Sequence, residues 1–180
     1  MNMHKLLRRA EDIRALDSAG VAVLRTVRRV RPGLRRVLRG EWLGHPAHPI
    51  VVTVPIGAYV SAAVLDLTPA TRDAARRLVG LGLLATPPAV VLGLADFAEL
   101  DARQRRVGLV HAATNAVASV LFAASFLNRS NHRLWGLLGL AALGAGGALG
   151  GHLAYAQGAG VHRWQLPEAS RVVEHRATVG

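Results

Sequence analysis

A chain of 180 residues without cysteine forms no disulfide, offers no thiolate ligand and holds no iron–sulfur cluster on its own sulfurs. It is 51% apolar and carries 22 basic against 11 acidic residues, a formal net charge of +11. The charge gathers at the ends and loops around long uncharged runs and only 4% of residues are aromatic, which argues against nucleic acid and for an anionic lipid surface. The class expected is an all-α, polytopic membrane protein with a single bundle.

Residues 1–43 hold eleven Lys and Arg but only Glu11, Asp12, Asp17 and Glu41 as acids. Apolar residues recur there at helical spacing: Leu6, Ile13 and Leu16; then Val23, Leu24, Val27 and Val30; then Leu34, Val37 and Leu38 after Pro32-Gly33. This pattern predicts basic amphipathic helices on the membrane surface, with Trp42 at headgroup depth; a solvated, disordered basic arm is the alternative. Val21 to Leu24 is too short for the apolar core of a secretory signal, so the first span is expected to act as its own uncleaved insertion signal.

Four apolar stretches follow, at about 49–68, 78–97, 107–127 and 134–155. Each has about 20 residues, enough at ~1.5 Å per residue to cross ~30 Å of hydrocarbon, and short connections make neighbours antiparallel. Pro55 and Pro87-Pro88 remove backbone donors inside the first two spans, which membrane helices tolerate when neighbours satisfy the freed carbonyls. The fourth span has Gly146 with Gly150 and Gly147 with Gly151 at the spacing that lets helices approach closely, for packing inside the bundle or for a homo-oligomer seam; the first is favoured. The domain reading is a surface arm over 1–43, a four-helix transmembrane domain over 44–156 and a tail over 157–180.

Loop charge sets orientation. The arm, the loop with Arg103, Arg105 and Arg106, and the tail with Arg163, Arg171 and Arg176 fall on one side with seventeen basic residues. Arg72, Arg76, Arg77, Arg129 and Arg133 make five on the other. Both termini are therefore expected in the cytoplasm.

In that topology His45, His48, Asp96, His111 and His152 all arrive at the cytoplasmic end. Ionisable side chains are expensive in hydrocarbon, so their meeting at one depth marks a site. Imidazole suits iron, copper and zinc, and two imidazoles from facing helices can hold a b-type haem. The cofactor-binding set is His48, His111 and His152; a metal ion can also draw on His45 and Asp96. Asn115, one turn from His111 on the same face, is a hydrogen-bond partner for it. Alternatively these side chains only cap helix ends, bond loose carbonyls or pair with Arg106 or Arg163. Asp66 stands ~27 Å from His48 along the first span and is read as a salt-bridge partner of Arg72 or Arg133. A phosphate loop, a nucleophile elbow and a zinc-protease helix are all missing, and the chain is not expected to be an enzyme on its own.

The segments LGHPAHPIVVTVPIGAY (43–59), SAAVLDL (61–67), GLADF (93–97), RRVGLVHAATN (105–115) and GGHLAYAQGAGV (150–161) resemble the bacterial membrane family called domain of unknown function 2231. The resemblance covers about 41–161 and implies a four-helix integral membrane domain of the inner membrane, without an assigned activity. Relatives often carry a Rieske ferredoxin domain after the segment matching 154–161, which implies membrane-linked electron transfer by association. No cysteine here can bind such a cluster, so an electron-transfer role calls for a separate Rieske or ferredoxin-type partner. The histidines matching the family's motifs are His45, His48, His111 and His152; His4, His132, His162 and His175 lie outside them and are expected at the surface. The functional expectation is a redox-associated membrane protein with one haem or metal ion at the cytoplasmic His cluster. Its rivals are a non-catalytic scaffold whose histidines tie helices together, and a proton or small-solute pathway through Asp66 and Asp96.

Overall fold

A computed structural model describes residues 3–160, which are mainly helical with no strand among them. Short α1 (Met3–Glu11), α2 (Asp17–Arg28) and α3 (Pro32–Leu38) precede α4 (Ala47–Val51) and α5 (Thr53–Leu65). Then come α6 (Arg72–Phe97), α7 (Ala102–Leu127) and α8 (His132–Gly151), the last ending in a π-helical turn over His152–Ala156. Four stretches are long and apolar enough to cross a membrane: Ala47–Leu65, Pro69–Phe97, Ala102–Leu127 and His132–Ala156.

The first span is two helices rather than one. Pro55 has no amide hydrogen to offer the carbonyl of Val51, and the helix breaks there, at Val52. Bonds from Val52 N to His48 O and from Ile56 N to Val52 O carry the chain across. Pro87 and Pro88, by contrast, lie inside the continuous α6. At 26 residues each, α6 and α7 run to ~39 Å, longer than the hydrocarbon, so their arginine-bearing first turns project beyond it.

The core is narrow and built of small residues around a few rings. Tyr59, Ala62, Ala75, Val79, Ala118 and Phe122 form it at the end remote from the arm, with Tyr59 and Phe122 stacked at 3.7 Å between centroids. Glycines make room: a Cβ on Gly82 would lie 2.6 Å from the Tyr59 ring and one on Gly139 3.0 Å from Phe122. The large apolar residues instead face outward, among them Val60, Val64, Leu84, Val120 and Leu137. In water such a surface is prohibitive, whereas hydrocarbon is its natural solvent.

At the other end the basic helices do not stand apart from the bundle. α1 and α2 pack on the start of α7, and α3 on α6. Ala10 is buried with Val107 and Leu149, and Gly20 sits against Arg105 and Leu109. Arg106 clamps Asp17 with two nitrogens at 2.6 and 2.8 Å and donates a third bond to Glu11 O. Arg39 bonds Glu99 at 3.1 Å. Trp42 is 71% exposed beside this cap, available to a membrane interface.

Candidate functional site

Two of the intramembrane histidines are held in the same way. His48, near the start of α4, places Nδ1 2.9 Å from Ala89 O on α6. His111 on α7 places Nδ1 2.8 Å from Gly146 O on α8. A carbonyl only accepts, so in both rings Nδ1 carries the hydrogen and Nε2 keeps its lone pair. Each ring is seated against a glycine of the facing helix: a Cβ on Gly93 would lie 3.1 Å from His48, and one on Gly150 3.0 Å from His111.

Asn115, one turn along α7, donates from Nδ2 to His111 O at 2.9 Å and passes 3.3 and 3.5 Å from the ring nitrogens. Gly146 gives it room, since a Cβ there would meet its amide at 2.6 Å. The α7–α8 contact is thus a unit in which Gly146 supplies both a carbonyl for His111 and space for Asn115. The 146/150 glycine pair packs inside the bundle, while Gly147 faces open space.

The remaining residues expected in the cluster go elsewhere. His152 is buried, and its Nε2 lies 2.7 Å from Glu11 Oε1 on α1, so it anchors the arm. His45 is exposed in the turn before α4. Asp96 sits half-buried in the last turn of α6. Among the described residues, no group of three or more His, Cys, Asp or Glu is gathered as a metal cage. The five-residue cluster expected from span ends is therefore not formed. Equal depth fixes one coordinate of a side chain, and helix rotation, which sets the other two, sends His152 toward α1.

At the far end Asp66 Oδ2 lies 3.6 Å from Arg133 Nε, one of the two partners expected for it. A further partner, not expected from the sequence, is His132, whose Nε2 is 2.9 Å from Asp66 Oδ1 and whose Nδ1 donates to Arg129 O at 3.0 Å. His132 is half-buried rather than a plain surface residue. His132 begins α8, and two helices, α6 and α7, separate it from Asp66 along the chain, so the pairing carried no sequence signal. Glu11 and Asp17 were likewise missed as partners, although the few acids in a strongly basic arm were the available hint. His162 and His175, like the tail from 161 onward, lie outside the described residues, and so does the side chain of His4.

A family described as predicted membrane protein, domain of unknown function 2231, matches residues 44–163, two thirds of the chain. The chain belongs to the domain of unknown function 2231 family. The matched region contains His48, His111, Asn115 and His152 with all four spans, whereas α1 to α3 lie outside the family's common part. No curated protein and no solved structure matches the chain.

Proposed function

We propose that His48 and His111 are the working centre of a redox-associated membrane protein, providing two imidazole ligands for one haem or one non-haem metal ion. The observation that supports this most is the shared anchoring of both rings. Metal-bound histidines characteristically donate their other nitrogen to a carbonyl or carboxylate, which fixes the ring and makes the ligating nitrogen more basic. Two such nitrogens are what axial ligation of one haem requires; a non-haem ion would complete its shell with oxygen donors or water. Asn115 serves as the positioning residue behind His111.

Lacking cysteine, the chain would exchange electrons with a separate soluble protein of Rieske or ferredoxin type. The seventeen-to-five distribution of basic residues supports an inner-membrane orientation with the arm and both termini in the cytoplasm, where anionic lipid would hold the arm. Detergent-purified protein from cells supplied with haem and metals is expected to show a Soret band or about one equivalent of metal.

A second reading is a scaffold in which the same bonds serve only to tie α4 to α6 and α7 to α8. The close seating of both rings against Gly93 and Gly150 favours it. Colourless, metal-free protein from the same cells would decide for the scaffold.

A further inference from the structure

We propose that the end of the bundle remote from the arm is a binding site for an anionic phospholipid, its phosphate held by arginines and its chain entering the bundle mouth. A cavity of about 330 Å³ opens there among α5 to α8, within the size range of small-molecule pockets. The stacked rings of Tyr59 and Phe122 line its apolar part, and Arg72, Arg76, Arg129 and Arg133 line its polar part. Two carboxylates, Asp66 and Asp73, oppose those four cations, and Asp66 is already engaged by His132 and Arg133.

Arg76 points most directly to an anion. It is half-buried, donates from Nε to Phe126 O at 2.9 Å and lays its guanidinium 4.7 Å over the Phe126 ring. No carboxylate of the described residues forms an ion pair with it. A partly desolvated guanidinium without a counter-charge is unfavourable, and its planar fork matches phosphate oxygens. The apolar surface beside it, with Leu67 and Leu137 lining the cavity and exposed, selects an anion that carries a hydrocarbon chain over one that does not.

The test is thermal stability of the full chain in neutral detergent, titrated with short-chain phosphatidic acid, short-chain phosphatidylcholine or inorganic phosphate. Phosphatidic acid is expected to raise the melting temperature saturably, with phosphatidylcholine inert and inorganic phosphate much weaker. Arg76→Gln should weaken phosphatidic acid binding about tenfold or more, as loss of a charged hydrogen bond implies. Arg72→Gln changes an exposed side chain and should also weaken binding, which keeps the test valid if Arg76→Gln fails to fold. The exposed arm variant Arg28→Gln/Arg36→Gln should bind as the parent does. Equal binding of inorganic phosphate would overturn the lipid assignment. Unchanged affinity in both cavity variants, or a loss confined to the arm variant, would overturn the site.

Discussion

Glu11 and His152, 141 residues apart, meet at 2.7 Å, and this contact makes the basic arm part of the bundle's architecture. The two side chains are 15% and 3% exposed, so the bond is shielded from competing water. It joins α1 to the π-helical turn that ends α8, and it commits to arm docking a histidine that its depth alone would assign to a metal cluster.

Removing either partner should release the arm. Glu11→Ala and His152→Ala are each expected to lose about 1.5–3 kcal/mol of arm docking, the range for a charge-assisted hydrogen bond. The double variant should lose little more than either single one. Limited proteolysis within α1 and α2 of detergent-solubilised protein measures this; additive losses would mean that the two residues act separately.

The arm's second link should be acid-resistant. The Arg106 guanidinium, bonded to Asp17 and helped by Arg14 and Arg105, holds that carboxyl below its ordinary value of 3.8. A group with a depressed native pKa stabilises fully above its unfolded pKa and loses this as pH falls through the native one. Hydrogen exchange in α2 should therefore stay slow down to the ordinary aspartate range and rise only below it. Asp17→Asn should show fast exchange already at neutral pH, and a parent that loosened well above pH 4 would contradict the pairing.

The glycines that seat side chains should not tolerate a methyl group. Gly82→Ala and Gly146→Ala place a carbon 2.6 Å from Tyr59 and from Asn115, respectively, and should destabilise by ~1–3 kcal/mol through overpacking. Gly147→Ala meets nothing within 4 Å and should be neutral or slightly stabilising in the helix. Thermal melts of the three variants in one detergent would check the contrast, and equal melting temperatures would show that the α5–α6 and α7–α8 contacts are looser than described.

Orientation is open to direct labelling. Single cysteines at Ser18 in α2 and Ser130 before α8 lie at opposite ends of the bundle, both exposed. In intact cells an impermeant thiol reagent should label the second and spare the first. The reverse pattern would put the arm and the histidine pair outside.

The four spans were legible in the sequence because bilayer thickness sets a length that composition alone can satisfy. So was the pairing of Asn115 with His111, since residues four apart share a helix face. Partners on other elements were not. Ala89 and Gly146 offer His48 and His111 backbone carbonyls, which every residue has, so no side chain announces them. The docking of the arm turns on Glu11 and Asp17 reaching residues some 90 to 140 positions away, a distance over which helical periodicity says nothing. Likewise, the break at Val52 accompanies Pro55, but Pro87-Pro88 leaves α6 continuous, so a proline within a span does not by itself place a break.

The most direct test of the central claim is the visible spectrum and metal content of four purified proteins: the parent, His48→Ala, His111→Ala and His152→Ala. If His48 and His111 are the ligands, the parent carries a Soret band or about one equivalent of metal. His48→Ala and His111→Ala lose it while remaining folded, and His152→Ala keeps it despite a loosened arm. Asn115→Ala should weaken retention by a factor on the order of 10 to 100 without abolishing it. A parent without colour or metal, or a signal lost in His152→Ala but kept in His48→Ala, would contradict the account.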